Sequence, residues 1–347
     1  MVDDTETQRR ADLVRGLLYL SCPDASTIAL DSTAKAIVER SAEQEAPAHA
    51  VPEAARLTLR RPDNDPPRNL SGADLMGVSL NRALMSDANL SGVNLSNADL
   101  TRALLRRADL SGADLTAAEL VGANLTAADL TAAHMSGAIL TNAILIGAIL
   151  SAANLSGANL SDVDLTDANL AGVNLARTNL GGADLTRADM PGADLSGANL
   201  SGAVLTETDL FRANMTGVDL ALAYLSQAYL TEADLTDASL AEADLTGANL
   251  TNANLSRADL PHANLAEADL TGANVTDANL AETDLKGANL QGVRRLSIEM
   301  LPGMVWNLHT LWPAGLAREI HALSVQVSPG TYRLRGETAP DRIPTWI

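Results

Sequence analysis

The sequence predicts a solenoid, a rod wound from short turns of chain, and two observations carry that prediction. From position 70 to position 290 every fifth residue is apolar, 45 sites without an insertion. Forty are Leu, and the others are Met85, Met135, Met190, Met215 and Val275. The residue two before each site is nearly always Ala, replaced by Val78, Val93, Val163, Val173 and Val218 or by Thr178, Thr208 and Thr283. A fixed short period is the signature of a repeat architecture. Five is a period of neither ordinary element, since helices repeat at about 3.6 and strands at about 2. Along one α-helix residues five apart rotate by about 140°, which would spread the Leu side chains around the axis. A flat strand would send successive ones to opposite faces. The chain must therefore turn after each copy, so that every Leu points to one common axis with a small side chain beside it.

The residue before Leu is usually Asp or Asn and the one after it Ser or Thr, as in SGADL, TAADL, SGANL and TDANL. These copies resemble the pentapeptide-repeat proteins, and the resemblance runs through residues 69–293 of 347. It implies an all-β solenoid, a right-handed quadrilateral parallel β-helix with four copies to a coil. On that pattern the copies make about 11 coils, a rod on the order of 50 Å long at the strand spacing of a sheet. Each coil then touches only its neighbours, and both ends need caps.

Taken in order, residues 1–68 lack the repeat and are expected to form a helical N-terminal cap. Leu13, Val14, Leu17 and Leu18 mark a helix over 5–20, Ile28, Leu30, Ile37 and Val38 a second over 26–45, and residues 52–59 a short third. The run RPDNDPPR (61–68) breaks helix and leads into the first coil. Residues 69–293 are the solenoid. Beyond it, 294–347 reads as a mixed α/β C-terminal cap or dimerisation segment. An apolar stretch over 296–311 covers the last coil, 313–323 forms a helix, and 324–336 alternates around Ser328-Pro329-Gly330 as a β-hairpin. All three tryptophans, Trp306, Trp312 and Trp346, lie here. In well-known members of the family two rods join end to end through this part, which implies a homodimer.

Charge is the most informative functional feature. Residues 69–293 hold 27 Asp and Glu against 9 Lys and Arg, close to the whole chain's net −19. The balance is lopsided: 69–180 carry 10 acids and 5 bases, 181–293 carry 17 acids and 4 bases. The densest run is Glu232, Asp234, Asp237, Glu242, Asp244, Asp259, Glu267, Asp269, Asp277, Glu282 and Asp284, a candidate acidic face. Carboxylates at fixed spacing on a rod speed association with basic surfaces and repel nucleic acid. The resemblance implies a use for them, because some members mimic DNA and occupy the DNA-binding saddle of type II topoisomerases such as DNA gyrase. Those members commonly set Phe at some central sites, whereas Phe211 is the single Phe of this chain. A second candidate surface arises where the residue before Leu turns apolar. With four copies to a coil, Leu84, Leu104, Ile144, Val204 and Tyr224 fall on one side of the rod, and this apolar face or the termini could bind the protein partner of a scaffold or signalling module.

Other classes find little support. His49, His134, His262, His309 and His321 are scattered without metal-ligand spacing, and Cys22 has no nearby His. The glycines recur at five-residue corners and form no phosphate loop. The expectation is a non-enzymatic protein without cofactor or metal, whose partner is a protein with a basic surface and not nucleic acid. One cysteine excludes a disulfide framework and points to a reducing cytoplasm. The N-terminus has no signal-peptide pattern. The longest uncharged run, residues 131–161, keeps the five-residue period and reads as solenoid, not membrane span.

Overall fold

The computed structural model describes residues 69–335. The helices expected over 5–20, 26–45 and 52–59, and Trp346, lie outside the described residues.

From Asn69 onward each five-residue copy contributes one side of a coil. The residue before the central Leu forms a parallel bridge with the residue 20 positions on, in unbroken series from Asn69↔Asn89 to Asn274↔Arg294. Four copies therefore close one coil. The ladder is regular: Leu90 N–H donates to Asp109 O (2.7 Å), and Asp109 N–H donates to Ala88 O (2.9 Å). Four sheets of single-residue strands run along the rod. We call them side A (Leu84, Leu104 and each twentieth residue to Asp284), side B (Asn69 to Asn289), side C (Asp74 to Arg294) and side D (Ser79 to Asn279).

Corners explain the rest of the repeat. Each Ala N–H returns to the carbonyl of the Leu three residues earlier, as Ala98 to Leu95 O (3.0 Å). The second residue inside the turn has positive φ at all 45 corners from Gly72 to Gly292, 18 of them Gly and 27 other residues. A left-handed residue at that place is what a type II turn requires. The side-chain oxygen of the Asp or Asn before Leu accepts the N–H of the residue two further on, as Thr101 to Asp99 (2.9 Å) and Ser91 to Asn89 (3.1 Å). Ser and Thr hydroxyls add a second bond to the same oxygen, as Ser111 to Asp109 (2.6 Å). These Asx turns satisfy donors that a coil of such short sides would leave unpaired.

The interior is Leu stacked on Leu. From Leu75 to Leu290 no central residue is more than 5% exposed. Three Thr take the small interior site, and each hydroxyl finds a backbone carbonyl; Thr208 Oγ1 donates to Leu185 O (2.7 Å). A buried hydroxyl without such a partner would cost about 1–3 kcal/mol.

Pairing outlives the repeat. After a 3-10 turn at Ile298–Met300, strand β1 (Val305–Asn307) lies on the last coil, with Leu285 N–H donating to Val305 O (2.7 Å). Leu290 N–H donates to Leu311 O in the same way (2.7 Å). This register puts Trp306 over Leu285 and Trp312 over Leu290, so two indoles fill interior sites of the final layer. Helix α1 (Leu316–Leu323) and strands β2 (Ser324–Ser328) and β3 (Thr331–Leu334) follow. Helix α1 and the β2–β3 pair fall within the stretches 313–323 and 324–336 that the sequence marked for a helix and a hairpin. The sheet order is β1-β3-β2, antiparallel, so side A changes from parallel to antiparallel as it leaves the solenoid. Trp306 stacks on Tyr332 (4.8 Å between centroids) and donates its Nε1–H to Ser324 Oγ (2.9 Å). Among the described residues no helix is long and apolar enough to cross a membrane.

Candidate protein-binding surfaces

The register sorts the eleven acids of the dense run into two physical kinds. Asp234, Asp244, Asp259, Asp269 and Asp284 precede a central Leu and sit on the flat sides. Glu232, Asp237, Glu242, Glu267, Asp277 and Glu282 occupy the left-handed corner position and are all exposed. Four of the flat-side acids are engaged in the turns, whereas Asp259, with Pro261 and so no N–H two residues on, accepts from Asn279 Nδ2 one coil away (2.7 Å). Asp244 accepts from Thr246 N–H (3.1 Å), Ser226 Oγ (3.0 Å) and Asn264 Nδ2 (3.2 Å). Asp269 accepts from Thr271 N–H (2.9 Å), and Asp284 from Lys286 N–H (3.0 Å) and Lys286 Nζ (2.8 Å). Three corner acids are met one coil away by a base: Glu232 by Arg212 (2.7 Å), Asp237 by Arg257 (2.6 Å), and Glu282 by His262 (3.5 Å). Hydrogen bonding to the Arg257 guanidinium holds the Asp237 carboxyl below its ordinary value. Glu242, Glu267 and Asp277 make no ion pair within 4 Å among the described residues.

The structure corrects one expectation about this run. The acids share no single face. Asp244 and Asp284 lie on side A, Asp269 on B, Asp234 on C and Asp259 on D, and the corner acids fall on all four corners. An eight- or five-residue spacing in sequence advances the chain around the coil, so a dense run becomes a girdle. Its strength follows from the rise per coil. With 17 acids and 4 bases in residues 181–293, the C-terminal half carries one net negative charge per about 2 Å of rod, against about 1.7 Å for duplex DNA. The N-terminal half, with 10 and 5, carries one per about 5 Å.

Leu84, Leu104, Ile144, Val204 and Tyr224 do share side A, linked by successive bridges. Leu84, Leu104 and Tyr224 are exposed, Tyr224 by 54%. Asn124, Asp164 and Asp184 interrupt the column. Ile139, Ile146 and Ile149 add exposed apolar surface around the uncharged middle of the rod.

A basic cluster escaped the sequence reading. Of the nine bases in the solenoid, Arg107, Arg187, Arg212 and Arg257 each pair with an acid one coil away, and Lys286 pairs with Asp284. Arg82, Arg102, Arg106 and Arg177 pair with nothing within 4 Å among the described residues. Three of these flank Leu84 and Leu104. The signal was available, since a step of four copies places Arg82 beside Arg102, but counting charge by halves hid it. Among the described residues no group of three His, Cys, Asp or Glu side chains could hold a metal ion.

The interior of the described coils is filled throughout, which defines the class: a repeat solenoid with a solid apolar core. A family model described as pentapeptide repeats matches this chain in eight overlapping or successive segments between residues 69 and 294. The chain belongs to the pentapeptide-repeat family, and its solenoid is the right-handed β-helix of that family. Among solved structures it is similar to HetL, a pentapeptide repeat protein involved in heterocyst differentiation regulation from the cyanobacterium Nostoc sp. strain PCC 7120. That match has 34% identity, covers 62% of this chain and 90% of HetL, and has a TM-score of 0.30. It is also similar to QnrB1, a plasmid-mediated fluoroquinolone resistance protein, at 18% identity over 53% of this chain and 88% of that one, TM-score 0.38. A third similar structure is the pentapeptide repeat protein Rfr23 from the cyanobacterium Cyanothece 51142, at 28% identity over 42% of this chain and 87% of that one, TM-score 0.12. No curated protein sequence matches this chain.

Proposed function

We propose that this protein is a non-enzymatic binding rod whose C-terminal half presents carboxylates, in place of duplex phosphates, to a basic protein surface. The DNA-binding saddle of a type II topoisomerase such as DNA gyrase is the partner this reading names. One observation carries it: the half that holds residues 181–293 approaches the linear charge density of DNA on a rigid rod. The charge surrounds the rod, as phosphates surround a duplex, so a saddle could grip it from any side.

Purified protein in a gyrase supercoiling assay, with and without a quinolone, tests the reading. The expected result is inhibition or drug protection that weakens as salt rises, because each ion pair formed releases counterions. The corner acids are the ones to reverse. Glu242→Lys, Glu267→Lys and Asp277→Lys together should weaken the effect and flatten its salt dependence, leaving the turns intact. Reversal of Asp234 or Asp244 would disturb Asx turns as well. No effect of the wild-type protein at any concentration or salt would sink the proposal.

The exposed column on side A favours a second reading, a scaffold that binds its partner through Leu84, Leu104, Ile144, Val204 and Tyr224. Binding that survives the triple corner reversal but is lost in Leu104→Ser and Tyr224→Ser would select it. For self-association, the edge of β2 that pairs with no other strand among the described residues is the place where a second copy could pair through the C-terminal segment.

A further inference from the structure

Leu84 begins the column on side A, with a described bridge only to Leu104. Both leucines are exposed, 36% and 39%. Arg82 and Arg102 stand one above the other on the corner to one side of them, and Arg106 on the corner to the other. All three guanidiniums are exposed and unpaired within 4 Å among the described residues. Elsewhere in the solenoid every base but Arg177 is neutralised. Unpaired arginines framing apolar side chains, at one end of a rod of opposite sign, fit an acidic segment that also carries apolar residues.

The chain contains one. Residues 24–45 hold Asp24, Asp31, Glu39, Glu43 and Glu45 against Lys35 and Arg40, interleaved with Ile28, Leu30, Ile37 and Val38. They are joined to the rod at Asn69, on side B, one corner from Leu84. The stretch between Glu45 and Asn69 could span up to about 80 Å, and the cluster lies within about 10 Å of the rod's first coil. A short tether holds its end at an effective concentration on the order of millimolar, so modest contacts suffice. We propose that residues 24–45 dock on the cluster formed by Arg82, Leu84, Arg102, Leu104 and Arg106.

Cys22, the single cysteine, allows a direct test on the full chain. Spin labels on Cys22 and on Ala127→Cys, an exposed corner one coil beyond Arg107, report their separation by electron–electron dipolar spectroscopy. A single narrow distance is expected. Arg82→Glu, Arg102→Glu and Arg106→Glu together should broaden it. Adding Asp31→Arg, Glu39→Arg and Glu43→Arg should restore it. Leu84→Ser with Leu104→Ser provides a second, uncharged disruption, and circular dichroism confirms that each variant keeps its β-helix. A broad distribution in the parent protein, or a narrow one that neither set of substitutions alters, would overturn the proposal. So would a narrow distance that disappears on mixing with excess unlabelled protein, which would make a second copy the occupant.

Discussion

At each corner one residue decides how much strain the coil carries. The 27 non-glycine residues at the corners from 72 to 292 have positive φ, where an L side chain costs about 1–2 kcal/mol more than in the right-handed region. Gly202, at φ +64 with open space where a methyl would stand, isolates that cost from any clash. Gly202→Ala should lower stability by about 1 kcal/mol, read as a shift in denaturation midpoint at unchanged slope. The residue before Leu is a second kind of decision. Burial works against the charged form of Asp99, but hydrogen bonds from Thr101, Asn81 and Ser79 outweigh it and hold its pKa below the ordinary value. A folded pKa below the unfolded one gives stability that is present above the unfolded value, about 3.9, and lost as pH falls through the folded one. Asp99→Asn should therefore melt below the parent protein at neutral pH, with the gap closing as the solution is acidified below about pH 3.9. A gap unchanged by pH would mean that the Asp99 charge does not contribute.

At the scale of elements, the segment after the last coil shows most clearly what a repeat ending must do. The Leu-lined core is open after Leu290, and the chain closes it with Leu301, Trp306 and Trp312 in the next interior sites, none more than 9% exposed. Two rings fit there because no further coil has to stack on them. Trp306→Ala should cost about 3–5 kcal/mol. Since coils interact only with neighbours, the loss should be local. Amide hydrogen exchange should rise at Leu285 and Leu290 while Leu145 and Leu150 keep their protection; a uniform rise would show that the rod unfolds as one unit. Much of this architecture was legible in the sequence. The five-residue period fixes the interior, and α1 and the β2–β3 hairpin carry ordinary helix and turn signals. What periodicity hides is whatever depends on the coil as a closed figure. A run of acids looks like a face until four copies are wound into four sides, and Arg82, Arg102 and Arg106 look unrelated until the same winding sets them together. The junction of β1 with side A was hidden too, because Asp284↔Val305 and Asn289↔Leu311 each overrun the spacing of the coils before them and leave no period to read.

For the whole molecule, the winding separates two questions that a globular fold would entangle: how far apart two surfaces are, and which way they face. Removing residues 141–160 deletes one full coil from the uncharged middle and joins Leu140 to Ser161 in register. It shortens the rod by about 5 Å and leaves every side aligned. Removing residues 141–150 instead takes out half a coil, so the C-terminal half turns by two sides relative to Leu84 and Leu104. Nearest-neighbour stability predicts that both proteins fold, each losing only the coil contacts removed. Their functions should then differ according to which surface binds. A girdle of charge is the same from every side, so a partner held by Glu242, Glu267 and Asp277 should bind both deletion proteins about as well as the parent. A partner that spans Leu84, Leu104 and Tyr224 along side A should tolerate the first deletion far better than the second, because the second carries Tyr224 to the opposite side of the rod. Binding measured for the three proteins against one partner thus reads out charge or column directly. Equal loss in both deletions would argue against the two surfaces alike and place the contact in residues 141–150, which both proteins lack and where Ile146 and Ile149 lie outside the column.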